Sequence, residues 1–512
     1  MKNSALTLDQ ILVSSTELFP HEDALVFLNQ SITYRELNNR VDQLATLLLE
    51  IGRGDRPKIG MITGRTPALV TSFFAIARAG AIIVPVNCHL KEDLFVEFTK
   101  ENCIEALIVS EELMQKIPAN LSHSGIETIL VDASCTEACA PHGVRKKLTD
   151  PCFSSPPFQQ LEMDDVVYLN CTSGTTGKIK AVPTTHRNLF HNTIAAIEAM
   201  QIRREGVFLG TFAPYAHPHD LFLRSIFLGG KTVMVDSNHP RNFAKAISDH
   251  QVTAMMGLPF TYYLLASLPS IKSFNLSSLG LLECGGGCAT QSLIEEVESA
   301  TDRTLTPVWG STETSGVALA APRGVRPTPG MIGRPCPGYE VRVVRSDGSD
   351  AQADERGEML IHGPGVCGLP REKNQGSGAT VCWYSTGDLV KRDVTGLLHF
   401  VGRESFMMKV NGLRVYPEQI EAVLLSHPQV QDACVVGVQD ELHGEIPVAF
   451  LVLRNGSQAD EKALFQHLKA RLSPHEIPKS IRIVDLLPRI GSGKVDRKAL
   501  ARELVASTLN EP

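Results

Sequence analysis

Residues 168–182 bring together side chains that suit phosphate chemistry, because glycines, hydroxyls and lysines are closely spaced there. Glycines let backbone N–H groups converge on an anion, hydroxyls add donors and a contact for Mg²⁺, and lysines add positive charge. The residues concerned are Thr172, Ser173, Gly174, Thr175, Thr176, Gly177, Lys178 and Lys180. This spacing predicts a phosphate site, in which Thr175 supplies a hydroxyl to the metal. A plain Ser/Gly/Thr turn is the alternative.

The same segment differs from the phosphate loop of Walker-type kinases and ATPases. That loop requires G-x-x-x-x-G-K-[ST], but Lys178 is followed here by Ile179, which has no hydroxyl. A second glycine-rich stretch, residues 491–495, fails as well, because Pro488 stands where the first glycine is needed and Val495 where Ser or Thr is needed. The sequence therefore disfavours a Walker-type enzyme.

The elements that must position the phosphate segment alternate between helices and strands. The amphipathic stretch 36–50 predicts a helix, and the apolar runs 81–86 and 106–109 predict buried strands. A strand is expected directly before the phosphate segment, and a helix is expected from about Thr185. This alternation predicts βαβ units and a largely parallel sheet.

The second half of the chain changes character twice. A stretch rich in Gly, Pro and Arg, residues 322–349, is accompanied by short strands predicted at 340–344 and 358–361. After Gly402-Arg403 the patterns predict a helix at 417–425, strands at 433–438 and 447–453, and a helix at 462–472. These shifts indicate a small β-rich unit followed by a separate α+β unit.

We therefore expect an α/β protein with a large N-terminal domain, residues 1–402, made of several subdomains with mostly parallel sheets. The β-rich subdomain occupies about residues 322–402. A small, mobile α+β domain is expected at residues 403–512. A length of 512 residues agrees with several units, since one hydrophobic core rarely supports so many.

Composition excludes several classes of protein. With 43% hydrophobic and 21% charged residues, and no apolar run of the length that a membrane span needs, we expect no transmembrane segment. The start does not resemble a secretory signal, so a cytoplasmic location is expected. A net charge of -7 without a basic stripe argues against nucleic-acid binding. The 12 cysteines lack paired zinc-like spacings.

Seven motifs, taken in order, resemble those of the adenylate-forming superfamily, which comprises acyl- and aryl-CoA synthetases, firefly luciferase and the adenylation domains of nonribosomal peptide synthetases. The motifs lie at 33–37, 79–87, 168–182, 309–314, 384–389, 402–403 and 491–494. Each is weak alone, but their joint order is specific. The resemblance implies a ligase that uses ATP to join a carboxylic acid to AMP, releases pyrophosphate, and passes the acyl group to coenzyme A.

The resemblance also implies roles for the phosphate-binding residues. Residues 172–180 would hold the β- and γ-phosphates, Thr312 would bind the α-phosphate, and Glu313 would hold Mg²⁺, which prefers oxygen ligands. Gly310 and Ser311 belong to the same motif as Thr312. Taken alone, Glu313 could equally be a solvated surface carboxylate.

The nucleoside is assigned in the same way. Asp388 would grip the ribose hydroxyls beside the donor fork of Arg403, although each could instead belong to a structural ion pair. Trp309 would lie against the purine, with a core aromatic as the competing interpretation. The backbone along adenine is assigned to Gly285, Gly286 and Gly287, whose alternative is a tight turn.

The C-terminal segment carries the residues tied to domain motion. By the resemblance, Lys494 would bridge the carboxylate and the α-phosphate during adenylation, and the small domain would then rotate about Ser405. Family members commonly place Asp or Lys at that hinge, so Ser405 departs from the pattern. After rotation, Lys409 and Gly412 would line the tunnel for the thiol arm.

The acid pocket is expected to begin at residues 213–220. His217 stands where amino-acid-activating relatives place an aspartate, which makes an amino acid substrate less favoured; a structural histidine is the alternative. Asp220 departs from the glycine common in acyl- and aryl-activating members. Apolar and aromatic residues 257–263 suggest another wall, suited to a fatty or aryl acid.

The sequence is compatible with three other functions. A carrier-protein phosphopantetheine ends in the same thiol as coenzyme A, so an acyl or peptidyl carrier protein is a possible partner. The second alternative is adenylation without thiolation, and the third is a catalytically idle binding protein. Intact Lys494, Glu313 and Asp388 argue against the idle protein. The sequence does not fix the acid or the oligomeric state.

Overall fold

The computed structural model describes residues 5–51, 54–118, 126–139, 145–149, 161–173, 179–368, 382–440, 442–454, 460–490 and 494–508. The α-helices in these ranges are α1 (Leu8–Leu18), α2 (Tyr34–Ile51), α3 (Pro67–Arg78), α4 (Glu92–Glu101), α5 (His186–Met200), α6 (Leu223–Leu228), α7 (Pro240–His250), α8 (Pro259–Ala266), α9 (Gln291–Thr301), α10 (Pro417–Leu425), α11 (Glu461–Lys469) and α12 (Arg497–Thr508). None of them combines the length and apolar character that a bilayer crossing requires.

The strands alternate with these helices through the first three hundred residues and then follow one another more directly. The first ten are β1 (Asp23–Phe27), β2 (Gln30–Thr33), β3 (Lys58–Ile62), β4 (Ile82–Pro85), β5 (Ala106–Ser110), β6 (Glu127–Val131), β7 (Glu137–Cys139), β8 (Arg145–Lys147), β9 (Val166–Ser173) and β10 (Ile179–Thr185). The next eight are β11 (Val207–Gly210), β12 (Lys231–Met234), β13 (Ala254–Gly257), β14 (Leu281–Cys284), β15 (Thr306–Ser311), β16 (Gly316–Ala320), β17 (Met331–Pro335) and β18 (Glu340–Val344). The last eight are β19 (Arg356–His362), β20 (Tyr384–Arg392), β21 (Leu398–Arg403), β22 (Met408–Val410), β23 (Leu413–Val415), β24 (Val430–Asp440), β25 (Gly444–Leu453) and β26 (Ser480–Ile483).

The described strands form three sheets. An eight-stranded sheet has the order β10-β9-β4-β3-β5-β6-β7-β8, with parallel pairing from β9 to β6. A 13-stranded sheet runs β18-β19-β20-β21-β17-β16-β15-β14-β13-β11-β12-β1-β2 and is parallel from β15 to β1. The predicted α/β class with mostly parallel sheets is therefore confirmed. The antiparallel strands β17 to β21 continue this large sheet.

Helix α3 anchors the segments that lead to the predicted site. All of its residues are buried, because helices and sheet strands surround it. Phe73 meets Phe222 and Tyr168 edge to face, with ring centroids 5.4 and 5.8 Å apart. Since Tyr168 lies on β9 and Phe222 follows the His217 segment, this aromatic cluster ties both segments to one core.

The C-terminal unit has its own five-stranded sheet, in which β22 to β26 pair only with one another among the described residues. Helices α10, α11 and α12 cover it, and two apolar clusters fill the space between. Arg497 on α12 donates to Glu421 on α10 at 2.7 Å, which fixes the helix that follows the predicted catalytic lysine. A small α+β unit is thus present, as expected.

Candidate active site

The phosphate segment includes the ends of two antiparallel strands, β9 and β10, in which Thr172 pairs with Lys180. Helix α5 begins only after β10, at the capping residue Thr185. Part of the segment lies outside the described residues: all of Gly174, Thr175, Thr176, Gly177 and Lys178, and the side chains of Thr172, Ser173 and Lys180. The predicted strand and helix flank the segment, but an unforeseen strand separates them.

Asp388 lies at the centre of a buried hydrogen-bond group. Strands β20 and β21 pair Asp388 with Arg403, whose Nε donates to Oδ1 at 2.6 Å. The indole Nε1 of buried Trp309 donates to Oδ2 at 2.9 Å. The Asp388 side chain has 0% exposure, so both oxygens are covered by protein. The alternative of a structural ion pair, which the sequence left open for Asp388 and Arg403, is therefore what the structure shows, and a ribose could reach this carboxylate only after Arg403 or Trp309 moves.

Thr312 and Glu313 stand on a short turn at the end of β15. Ser311 and Thr314 cap this turn by hydrogen-bonding to each other. Gly310 is required just before it, because an added Cβ would lie 2.3 Å from the carbonyl oxygen of Gly316 on the returning strand. Thr312 is buried and Glu313 half-buried, so the turn holds a hydroxyl and a carboxylate side by side.

Tyr384 faces this turn from β20. Burial, followed by the charge of the adjacent Glu313 carboxylate, raises the pKa of the Tyr384 hydroxyl well above its usual value. The phenol therefore stays protonated and acts as a donor. The turn and β20 together surround the Glu313 carboxylate.

Lys494 reaches into the same region from the C-terminal unit. Its Cε lies 3.9 Å from the position of a Cβ on Gly286. The residue as a whole is exposed, but desolvation around its ammonium, followed by the charge of Arg403, lowers its pKa, and Asp388 and Glu313 oppose that change. Lys494, Glu313, Asp388 and Arg403 therefore lie within electrostatic reach of one another.

The triglycine segment forms one side of this space. Gly286 has a φ of +75°, a conformation that other residues adopt at a cost, and a Cβ there would lie 2.7 Å from Leu258. A Cβ on Gly285 would lie 2.8 Å from Val308. Gly286 and Gly287 are exposed. The backbone is thus open to a flat ligand where the sequence placed adenine.

His217 lies next to Asn170, whose Nδ2 donates to its Nδ1 at 3.3 Å. Burial, with smaller contributions from His219 and Lys494, lowers the pKa of His217 to about 4, although Asp220 acts in the opposite sense. The imidazole is therefore neutral at pH 7. His217 therefore lies within electrostatic reach of Lys494 and Asp220, and its place at the start of the acid pocket stays a prediction.

Two aromatic residues of the predicted apolar wall, residues 257–263, make other contacts. Tyr262 is buried, and its hydroxyl lies 2.8 Å from the carbonyl oxygens of Met255 and Glu283, so it supports the sheet. Phe260 instead meets the guanidinium of Arg489, at 4.3 Å from the ring centroid. Arg489 belongs to the C-terminal unit, so Phe260 lies at the contact between the two units.

Lys409 and Gly412 lie on an exposed hairpin of the C-terminal unit. Asn411 and Gly412 both have positive φ, 52° and 79°, as a two-residue turn between β22 and β23 requires. The backbone N–H of Lys409 donates to Glu445 at 2.8 Å. Ser405 is exposed on the turn after β21. This arrangement brings Lys494, rather than Lys409, to the space lined by Gly286 and Glu313.

Two buried residues beside the acid pocket were missed. Arg224 donates to Asp220 at 2.8 Å and to Glu283 at 2.6 Å, and all three side chains are at most 6% exposed. The available signal was a charge inside an apolar run, since Arg224 interrupts residues 221–228 and Glu283 interrupts residues 281–284.

Comparison with known proteins agrees with this geometry. The chain matches the family model described as AMP-binding enzyme over residues 13–368, and that of the AMP-binding enzyme C-terminal domain over residues 419–494. It is similar to a feruloyl-CoA synthase of Amycolatopsis sp, at 29% identity over 491 residues, which cover 94% of this chain and 96% of that protein. It is also similar to a long-chain-fatty-acid–CoA ligase of Bacillus subtilis, at 26% identity over 529 residues, covering 97% and 94%.

Among solved structures, an anthranilate CoA ligase in complex with anthranoyl-AMP has a TM-score of 0.86 and 23% sequence identity, and the match covers 98% of each chain. This likeness shows that the two proteins share a fold.

Proposed function

Because the chain belongs to the AMP-binding enzyme family, we propose that it adenylates a carboxylic acid with ATP, releases pyrophosphate, and transfers the acyl group to coenzyme A. It is a ligase of the AMP-forming acyl-CoA synthetase type. The observation that most supports this proposal is the position of Lys494, which reaches from one unit into the space lined by Gly286 and Glu313 of the other.

In the first half-reaction, a carboxylate oxygen attacks the α-phosphorus of ATP, and the bond from that phosphorus to the pyrophosphate oxygen breaks. The two reactants are both anions, so catalysis depends on positioning and charge neutralisation. We assign Lys494 to the developing charge between them and Thr312 to an α-phosphate oxygen. Residues 172–180 would hold the outer phosphates.

Glu313 fits a magnesium ion, because its half-buried carboxylate is a hard oxygen ligand beside the proposed phosphate site. We propose Glu313 and Thr175 as its protein ligands. Bound Mg²⁺ would supply positive charge to the phosphates.

The proposed nucleoside contacts come from the exposed glycine backbone and from the hydrogen-bond group around Asp388. Gly285, Gly286 and Gly287 would lie along adenine. Asp388 and Arg403 would take the ribose after their ion pair opens, with Trp309 holding the carboxylate from behind.

In the second half-reaction, the thiol sulfur attacks the acyl carbonyl carbon, and the bond to AMP breaks. We propose that the C-terminal domain, residues 403–512, first turns about Ser405 relative to residues 1–402. The hairpin that bears Lys409 and Gly412 would then line the path of the thiol arm. Coenzyme A is the proposed acceptor, and a carrier-protein phosphopantetheine is the second candidate.

The adenylation half is tested by acid-dependent exchange of labelled pyrophosphate into ATP, measured with a panel of fatty, aryl and amino acids. Lys494→Ala should lower the exchange rate by about 100-fold or more, as loss of a group that stabilises transition-state charge does. Lys498→Ala is the matched control, since Lys498 is an exposed lysine on the following helix. Undiminished exchange in Lys494→Ala would contradict the assignment.

The acceptor is tested separately, with coenzyme A in one reaction and holo carrier proteins in another. Thioester on coenzyme A alone supports the proposal. Thioester on a carrier protein alone favours the second candidate. Accumulation of acyl-AMP without either thioester would favour adenylation without thiolation.

A further inference from the structure

A buried acid–arginine–acid bridge crosses the interior behind the acid pocket. Asp220 follows His217 by three residues, Arg224 lies on α6, and Glu283 lies on β14 three residues before Gly286. Arg224 binds one oxygen of each carboxylate, Oδ1 of Asp220 and Oε2 of Glu283. The carboxylates of Asp220 and Glu283, two formal negative charges, therefore share the single positive charge of Arg224 in the buried interior.

Asp220 of the bridge lies next to His217, because a ring nitrogen of His217 and a carboxylate oxygen of Asp220 lie within 4.8 Å of each other. His217 and Gly286 both lie close to Lys494, where the substrate carboxylate would react. Asp220, three residues after His217, and Glu283, three residues before Gly286, line a common cavity. The acid would therefore enter past His217 and direct its remote end toward the bridge.

This cavity is small and its lining is mixed. Phe208, Met256 and Gly210 supply apolar and backbone surface next to the bridge. Its volume, about 10 Å³, corresponds to one water-sized group. Leu221 covers Gly210 so closely that a Cβ there would lie 2.5 Å from the leucine side chain. The cavity beside the bridge thus has room for a group of hydroxyl size.

Acceptor atoms remain free at this end of the pocket. Among the described residues, Asp220 Oδ2 and Glu283 Oε1 have no hydrogen-bond partner, although their side chains are only 6% and 1% exposed. Nearby, His219 donates from Nε2 to the carbonyl of Ser315 at 2.9 Å, which leaves its buried Nδ1 without a partner. Buried acceptors of this kind are costly unless a donor reaches them.

We propose that the enzyme selects a compact carboxylic acid that carries a hydrogen-bond donor, a hydroxyl or amino group, at the end remote from its carboxylate. The donor binds the free oxygens of Asp220 and Glu283 at the closed end of the pocket. Long-chain fatty acids are excluded, because their chain would have to displace the bridge. This inference rests on the proposed function and adds the substrate class to it.

Pyrophosphate exchange with matched acids tests the proposal. The pairs are benzoate with 4-hydroxybenzoate, 3-phenylpropanoate with its 4-hydroxyphenyl counterpart, and hexanoate with 6-hydroxyhexanoate; dodecanoate represents the long chains. In at least one pair, kcat/KM should be about 10- to 100-fold higher for the hydroxylated acid, as expected for a hydrogen bond to a charged group. Dodecanoate should give no exchange above background.

Two conservative variants connect that preference to the bridge. Asp220→Asn and Glu283→Gln keep the shape of each side chain but replace a charged acceptor, and each should lower the hydroxyl preference about tenfold. Asp9→Asn is the matched control, because Asp9 forms a buried pair with Arg78 at 2.7 Å elsewhere in the chain. It should affect thermal stability without changing the preference. Melting curves confirm that each variant is folded.

The outcomes separate this inference from the function on which it rests. Exchange with several acids but no preference for the hydroxylated member of any pair refutes the inference alone. Efficient exchange with dodecanoate, or an unchanged preference in both folded bridge variants, does the same. If no acid supports exchange, the proposed function is refuted and the inference fails with it.

Discussion

Two contacts hold the C-terminal unit in the orientation that inserts Lys494. Arg454, at the end of β25, forms an ion pair with Glu296 on α9. The guanidinium of Arg489 lies 4.3 Å from the centroid of the Phe260 ring on α8. We predict that the double variant Glu296→Gln, Phe260→Leu weakens this docked orientation relative to the one that serves thioester formation.

The expected size of the effect follows from the exposure of each contact. The Arg454 and Glu296 side chains are 28% and 29% exposed, so their ion pair contributes about 0.5–1 kcal/mol. The contact between Arg489 and Phe260 contributes about 0.5–1 kcal/mol. Their sum, about 1–2 kcal/mol, would change the ratio of docked to rotated molecules about 5- to 30-fold.

The assay measures the two half-reactions separately. Pyrophosphate exchange reports the docked orientation, and thioester formation from supplied acyl-AMP reports the rotated one. In the double variant, the rate of pyrophosphate exchange divided by the rate of thioester formation should fall by up to about 5- to 30-fold. Glu298→Gln is the matched control, because Glu298 lies on the same helix but pairs with Arg326 of its own unit at 2.9 Å. An unchanged ratio in the double variant, or an equal fall in both rates, would refute the reasoning.

Two further predictions concern buried polar groups. Asp388→Asn should lower the free energy of unfolding by about 1–3 kcal/mol in urea titrations, because it weakens the acceptors for Arg403 and Trp309. An unchanged free energy would show that the two donors find other partners. Burial lowers the pKa of His186, which accepts from the N–H of Leu8 at 2.9 Å, to about 4. The unfolded chain, with a histidine pKa near 6.5, binds this proton first, so stability is complete above that pH and falls by up to about 3 kcal/mol as the pH approaches 4. Chemical denaturation from pH 7 to 4.5 should show a smaller decrease for His186→Gln than for the native chain; equal decreases would contradict the assignment.

The sequence predicted buried element centres better than element ends. The helix at residues 417–425 was predicted with its observed bounds, because Pro417 marks its first turn. The strand predicted at 433–438 extends from Val430 to Asp440. Its polar ends pair with β25 through backbone hydrogen bonds, which leave no apolar signature. The helix predicted from residue 462 ends early, at Lys469.

Pairing between distant segments could not be predicted from local patterns. The β-rich stretch was expected as a subdomain, but β17 pairs with β16 and makes it one end of the large sheet. Strand β10, which separates the phosphate segment from α5, was also missed. It contains Pro183, which weakens a strand signal because proline cannot donate to the ladder.

In the candidate site, too, local motifs were recognised and contacts between distant segments were missed. Lys494 and Glu313 were assigned through the family resemblance, and the structure brings the two within electrostatic reach of each other, while their roles stay predictions. Arg224 and Glu283 were missed, since only the folded chain brings these distant charges together. The ion pair of Asp388 with Arg403 was one of the two interpretations that the sequence allowed, but the hydrogen bond from Trp309, 79 residues away in the sequence, was not predicted.

The closed ion pair of Asp388 has a consequence for the proposed reaction cycle. Under the proposed function, Arg403 would compete with the ribose for this carboxylate, and re-forming the pair would help to expel AMP once the acyl group has left. The apparent affinity for nucleotide would be lowered by the fraction of molecules in which the pair is closed. A site that re-forms its own internal contacts would thereby limit inhibition by the product, and turnover would depend on how readily Arg403 returns to Asp388.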